Sequence, residues 1–515
     1  MATPSEKLAA SLSALRDLQQ QGIVAIHTGA LSRTDRARLL ENGFLKEVYQ
    51  GWYIAVAPNE IKGDSTSWYS SFWTFCAQYL EQKYKTNWCI SPEQSLMLHA
   101  GNQTIPTQLI IKSPDANNYN TVLPYGTSLF HMKSQLPADN EVALMQGLRI
   151  RSLPAALVNV SQNTFTNNAT DVRTALLMVK DASYISGILL DGGKSVVAGR
   201  LAGAFRNINQ NRIADDILKS MLAAGYDVRE SDPFENPTPV QLSNREQSPY
   251  GNRIRLMWHK WRNTVIQNMP PAPGLPSDKQ QYMKAVEDVF VTDAYHSLSI
   301  EQYKVTPELI ERVRNGKWND KENEADRKQK DAMAAKGYWD AFQLVEKSVA
   351  KVLDGENAGR VANNDHGDWY RGLFAPSVAS GIIKASDLGG YRTHQVYIGQ
   401  SMHVPLNREA VRDAIPVLFE LLENENEAAV RAVLGHFIFV FIHPYMDGNG
   451  RMGRFLMNVM LASGGYPWTV IPVEKRATYM QALEQASVNQ NIEPFAQFVG
   501  YLVRESLKNN PLAKI

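Results

Sequence analysis

Only two cysteines, Cys76 and Cys89, occur in 515 residues. Two thiols cannot staple a chain of this length, and no Cys/His ladder offers a structural zinc site. A disulfide framework is thereby excluded, and a reducing, cytoplasmic setting is expected. Neither charge is in excess, with 53 Lys+Arg against 52 Asp+Glu. This excludes a whole-chain polyelectrolyte that coats DNA and leaves open only a local basic face. Long apolar runs are missing too. The longest, Ala432 to Ile442, is interrupted by Gly435 and His436. It is too short to span a bilayer and suits a buried helix, so no membrane partner is expected. No apolar h-region with a small-residue cleavage site follows the N-terminus, so no secretory signal is read. No internal repeat is visible. What is present is an ordinary globular composition, 44% hydrophobic and 20% charged, long enough for about two to four domains.

Leu8, Leu12, Leu15 and Leu18 recur at helical spacing until Gly22, and Ile23–Ile26 reads as a short strand,. Leu31 to Asn42 reads as a second helix, and Phe44 to Ala55 alternates around Gln50-Gly51 as a hairpin,. Helix, strand, helix, hairpin is the order of a winged helix, assigned to residues 1–55. Residues 56–230 read as a mixed α/β companion domain, with turns at Asn117-Asn118 and Pro124-Tyr125-Gly126 and a helical stretch over 170–228. Residues 231–275 hold two proline-rich breaks and read as a linker and lead-in helix. The rest, 276–515, is mostly helical, and its charged run Lys317–Lys330 reads as a solvated helix surface. The segment Ile23–Tyr53 resembles the winged helix of AbiEi-type antitoxin regulators. That resemblance implies DNA as a partner through Arg33, Arg36 and Arg38, against which residues 1–55 carry only six basic side chains beside five acidic ones,.

The chemistry is concentrated in His443-Pro444-Tyr445-Met446-Asp447-Gly448-Asn449-Gly450-Arg451-Met452-Gly453-Arg454. An apolar helix over 428–442 precedes this run and another apolar segment follows it. A glycine-bearing loop thus opens into a helix N-terminus, where unpaired N–H groups and the helix dipole favour an anion. Gly448 and Gly450 let a phosphate approach the backbone. Arg451 and Arg454, three apart, reach neighbouring phosphates. Asp447 supplies a hard oxygen for Mg²⁺, and His443 is placed to take a proton from a hydroxyl. Such a set suits phosphoryl or nucleotidyl transfer. His436, seven residues before His443, reads as a core histidine.

This run is similar to the Fic family signature at every functional position, with Tyr445 standing where Phe is usual. Gly390-Tyr391-Arg392 through Gly399, followed by His403-Val404-Pro405, looks like the family's β-hairpin flap. Arg476–Leu483 and Glu493-Pro494-Phe495 look like its C-terminal helices. The resemblance implies an all-α domain apart from the flap. It implies a protein adenylyltransferase that moves AMP from ATP, with Mg²⁺, to a Ser, Thr or Tyr hydroxyl of a target protein or of itself. His443 is then the base and Asp447 the metal ligand. Gly448, Asn449, Gly450, Arg451, Arg454 and Tyr479 bind the nucleotide, and Val396 and Ile398 on the flap dock the target. Ser297-Leu298-Ser299-Ile300-Glu301, ending a helix that begins near Asp278, resembles the family's inhibitory motif. Ser297 and Glu301 would engage Arg454; Gln302 departs from the usual Gly or Asn. The resemblance further implies regulation through homo-oligomers and, in some relatives, AMP removal supported by the inhibitory glutamate. The alternative reading is a DNA-binding, antitoxin-like regulator whose Fic site senses a nucleotide.

Overall fold

In the computed structural model, which describes residues 3–58, 60, 63–235, 248–316 and 330–515, Thr3 opens helix α1 (Pro4–Gln20) with a reciprocal cap. Its hydroxyl accepts the Glu6 N–H, and the Glu6 carboxylate accepts the Thr3 N–H,. Strand β1 (Ile26–His27), α2 (Arg33–Glu41), β2 (Leu45–Tyr49) and β3 (Trp52–Ala55) follow, in an antiparallel sheet of order β1-β3-β2. Leu15, Ile26, Leu31, Leu39, Leu45 and Tyr53 form its small core. The expected strand over Ile23–Ile26 is shorter than read. The N–H groups of Val24 and Ala25 both donate to Gln78 Oε1 at 2.8 Å, which takes them out of any ladder. Two of the three arginines expected to face DNA are occupied internally. Arg36 donates to the Thr28 carbonyl at 2.6 Å, and Arg38 to the Lys7 carbonyl and Ser11 Oγ at 3.0 and 2.7 Å.

An aromatic helix, α3 (Thr66–Tyr84), is followed by β4 (Cys89–Ile90), α4 (Pro92–His99), β5 (Gln108–Ser113), β6 (Tyr119–Val122) and β7 (Ser128–Lys133). The sheet order is β4-β5-β7-β6, with β5 and β7 parallel. Asn118 and Tyr125, at the two turns read from the sequence, have φ of 53° and 55°. A hairpin, β8 (Val142–Met145) and β9 (Leu148–Arg151), leads into six helices from Leu153 to Ala223: α5 (Leu153–Asn159), α6 (Gln162–Asn167), α7 (Ala169–Leu177), α8 (Ser183–Asp191), α9 (Ser195–Asn207) and α10 (Asn211–Ala223). All of this, Met1–Arg253, forms one unit together with Tyr397–Val404. Val404 lies in its aromatic core, and the Ile105 N–H donates to the Met402 carbonyl at 3.0 Å.

Ile254–Val396 and Pro405–Ile515 form the second unit. It is helical: α11 (Pro249–Asn268, entering it at Ile254), α12 (Lys279–Ile300), α13 (Pro307–Arg314), α14 (Lys330–Leu353), α15 (Ala358–Ala379), α16 (Arg408–Asn424), α17 (Ala428–Ile442), α18 (Asn449–Ala462), α19 (Arg476–Val488) and α20 (Glu493–Leu507). Helix α17 is apolar on nearly all sides, and both it and α18, which also buries Asn449, Arg451, Arg454 and Asn458, are buried almost throughout,. They pack on each other. Helices α12, α14 and α15 lie against α18, and α16 and α20 lie against α17. Among the described residues no helix is long and apolar enough to cross a membrane. The charged run 317–329 and most of the linker, 236–247, lie outside the described residues.

The expected β-hairpin flap is not formed, because no strand occurs between Gly390 and Leu406. Side chains take the carbonyls a ladder would use. Arg392 donates to the His394 carbonyl at 2.9 Å and also to that of Leu406. Gln395 Nε2 donates to the carbonyls of Val396 and Pro405 at 3.2 and 2.8 Å. Val396 and Ile398 are both half-buried in this irregular segment.

Candidate active site

Helix α17 ends on His443, which takes the left-handed conformation (φ 55°, ψ 61°) uncommon outside glycine,. Its N–H still closes the last turn on the Phe439 carbonyl at 3.0 Å. The imidazole Nδ1 lies 3.2 Å from the Val440 carbonyl oxygen. A carbonyl only accepts, so Nδ1 carries the proton and Nε2 keeps the lone pair. Burial pulls the His443 pKa down to about 4, with Arg392 adding to the shift. The ring is therefore neutral at pH 7. Arg392, itself 1% exposed, fixes the loop from outside it. Its Nε donates to the His443 carbonyl at 2.7 Å and its main-chain N–H to that of Pro444 at 2.9 Å.

The loop then turns on its own side chains. Tyr445 is buried and stacked on Tyr370, centroids 3.8 Å apart and planes 7° off parallel. Asn449 Oδ1 accepts the Tyr445 N–H and its Nδ2 donates to the Tyr445 carbonyl, both at 2.9 Å. The Asn449 side chain is thus spent on closing the loop; what it offers an anion is its main-chain N–H in the first turn of α18. Gly448 caps that helix at φ 82°, where a Cβ would strike Phe374. The exposed Asp447 accepts the Gly448 N–H at 2.6 Å and stands 3.5 Å from Arg451 Nη2.

Both arginines are almost wholly buried, Arg451 at 1% and Arg454 at 3% exposed. Nε and Nη2 of Arg451 and Nη1 of Arg454 have no hydrogen-bond partner among the described residues. Unpaired buried guanidinium donors are costly, and an anion would satisfy them. The rest of Arg454 is held by the end of α12. Its Nε donates to Ser297 Oγ at 2.8 Å, and its Nη2 to the Ser297 carbonyl at 3.0 Å and to Glu301 Oε1 at 2.8 Å. Burial alone would lower the Arg454 pKa, but the Glu301 carboxylate outweighs it and holds the group above its ordinary value. A Cβ on Gly450 would collide with Glu301 Oε1, so the carboxylate lies close over the first turn of α18.

Tyr479 lies beside Arg454 and Glu301. It is 1% exposed, and its hydroxyl pairs with His436 Nε2 at 2.8 Å. It packs in the core beside a histidine that is neutral, as read, its pKa pulled to about 3 by burial. Val396 and Ile398 lie outside any strand, as described above. Among the described residues no group of three or more His, Cys, Asp and Glu side chains is placed to hold a metal. A lone exposed carboxylate still fits Mg²⁺ carried on phosphates, because that ion keeps most of its waters and takes one or two protein oxygens. Sequence reasoning missed Arg392, Phe374 and Tyr303. The last two place their rings 4.9 and 5.2 Å from the Arg451 guanidinium carbon.

Residues 368–461 match the Fic/DOC family. This part of the chain is a Fic domain. Protein adenylyltransferase fic-1 of Caenorhabditis elegans is 33% identical over 117 residues, 22% of this chain and 22% of that protein. Protein adenylyltransferase Fic of Drosophila virilis is 34% identical over 131 residues, 25% of this chain and 26% of that protein. The chain therefore spans about a quarter of these relatives. Among solved structures, Fic-1 of C. elegans aligns with 68% of this chain and 97% of its own, at 17% identity and a TM-score of 0.37. A Fic-domain signalling protein of Bacteroides thetaiotaomicron aligns with 51% of this chain and 99% of its own, at 17% identity and a TM-score of 0.35.

Proposed function

We propose that the chain is a protein adenylyltransferase held in an inactive state by Glu301. The observation that carries this reading is the pair of buried arginines with unsatisfied donors on the first two turns of α18, one of them already holding a carboxylate. A triphosphate would use the same donors. A hydroxyl of a Ser, Thr or Tyr on a target protein, or on this chain, gives its proton to His443 Nε2. Its oxygen bonds to the α-phosphorus of ATP, the α–β bridging bond breaks, and pyrophosphate leaves with that electron pair. The free N–H groups of Gly450 and its neighbours face the charge that develops on the α-phosphate. Asp447 would hold Mg²⁺, which would neutralise phosphate charge when bound. Glu301, by occupying Arg454 and the space at Gly450, keeps the γ-phosphate from its seat and the α-phosphate from the alignment that transfer needs.

We read residues 1–55 as a winged-helix module, supported by the element order α1-β1-α2-β2-β3 and the sheet order β1-β3-β2. The internal bonds of Arg36 and Arg38 weigh against a role in gripping duplex phosphates.

The test is incubation of the full chain with α-labelled ATP and Mg²⁺, then mass spectrometry of labelled peptides. Glu301→Gly raises self-labelling, by at least tenfold if the ion pair and its space-filling act together as about 1.4 kcal/mol or more. His443→Ala in that background abolishes it with the circular dichroism spectrum unchanged. Equal labelling of wild type and Glu301→Gly would remove the inhibitory role, and labelling that survives His443→Ala would remove His443 as base.

A further inference from the structure

Helix α12 does not simply stop at Ile300. Glu301 is its C-cap, and Gln302 takes φ +67°. The Gln302 N–H donates to the Ser299 carbonyl at 3.0 Å and the Tyr303 N–H to the Leu298 carbonyl at 3.1 Å. These paired bonds around a left-handed residue make a Schellman hook. The hook points two side chains at the α18 arginines. Glu301 reaches Arg454, and Tyr303 lays its ring near Arg451, which the Phe374 ring also meets.

We propose that Tyr303 is the second arm of this latch: it covers Arg451 as Glu301 occupies Arg454, so that one hook withholds both arginines from a nucleotide's phosphates. The inference rests on the reading above, in which those arginines bind phosphate. A guanidinium 1% exposed can meet a phosphate only if a covering group withdraws. Phe374 is buried within α15, whereas Tyr303 is half-buried just past a helix end and fixed there by the hook's two main-chain bonds. Tyr303 is therefore the group that moves. A ring face is also a weak substitute for an anion, and it leaves Nε and Nη2 of Arg451 without hydrogen bonds,. Glu301 holds one arginine by charge, and the Tyr303 ring lies on the other beside the Asp447 carboxylate, 3.5 Å from its Nη2. Removing the Glu301 carboxylate alone therefore leaves Arg451 partly covered.

ATP affinity in the presence of Mg²⁺, measured by titration calorimetry on the full chain carrying His443→Ala to prevent turnover, tests this. Tyr303→Ala is expected to bind ATP about three- to fivefold more tightly than its parent, the lower part of the range of a cation–π contact. Tyr303→Phe, which keeps the ring, restores the parent's affinity. The double change with Glu301→Gly binds more tightly than either single change. A ring with a merely structural role would give the opposite sign, with truncation loosening the site. If Glu301→Gly tightens binding and Tyr303→Ala does not, the second arm is wrong and the function proposed above stands. If Glu301→Gly also leaves ATP unbound, both fall.

Discussion

Arg392 holds the His443 carbonyl, the Pro444 carbonyl and two carbonyls of its own segment while almost wholly buried. Burial lowers its pKa to about 10, so it stays charged at pH 7. It anchors the backbone of the candidate base without touching where a substrate would sit. Arg392→Met keeps the stem and the main-chain bond to Pro444 and deletes the guanidinium donors, leaving buried carbonyls unpaired at about 1–3 kcal/mol,. The expected outcome is at least a tenfold loss of labelling in a Glu301→Gly background, with helical content retained. At the same scale, a ring-proton NMR titration should find His443 neutral at pH 6 and protonated only near pH 4, the direction set by burial. His443, Asp447, Arg451 and Arg454 were legible in the sequence because their chemistry lies within twelve consecutive residues. Arg392, Phe374 and Tyr303 were not, since each is a common residue type brought to the loop by packing from 51 to 148 positions away. The internal bonds of Tyr479 and of the Asn449 side chain were not legible for a related reason: spacing places a residue near a site but does not tell which partner claims its polar atoms.

Among the elements, the end of α12 shows most clearly how a local preference bears on activity. Gln302 stands in a conformation that costs a side chain about 1–2 kcal/mol,. Gln302→Gly would relieve most of that and steady the hook, offset in part by the freedom glycine gains when the hook opens. Self-labelling by the otherwise wild-type chain is expected to fall about fivefold, read from the same mass spectrometry; a rise would mean that the hook does not gate the site. Helices were legible from periodicity, and α12, α17 and the turns at Asn118 and Tyr125 lie where their signals placed them. The flap was not. Tyr391 to Gly399 has strand-like composition, but Arg392 and Gln395 bind the carbonyls a partner strand would need. Strand β1 was trimmed by one distant amide, that of Gln78. Pattern reports which segments suit a ladder; it does not report which side chains compete for it.

At the scale of the whole molecule, each unit encloses its own core, and each holds a buried histidine that folding keeps neutral. In the N-terminal unit His131 sits between Tyr84 and Thr121, its pKa lowered to about 4 by burial. Between pH 6.5 and 4 the unfolded chain binds a proton that the folded one refuses, so its contribution is whole above 6.5 and fades as pH falls. The urea midpoint of this unit should drop between pH 7 and 5, and His131→Gln should flatten that slope. In the second unit burial raises Asp293 to about 6 and Glu346 to about 7, which opposes the effect of His436. The two-unit division was only partly legible. Proline-rich breaks mark its neighbourhood, but nothing in the composition of Tyr397–Val404 shows that these eight residues join the unit built from the other end of the chain.

The vacancy at Gly450, where a carboxylate oxygen takes the room of a methyl group, limits how the protein can be switched on. A bulkier residue there would evict Glu301 and bar the incoming triphosphate in the same stroke, so key and bolt contend for one atom's breadth. Substitutions that raise AMP labelling should therefore cluster on 297–303 and spare the loop itself.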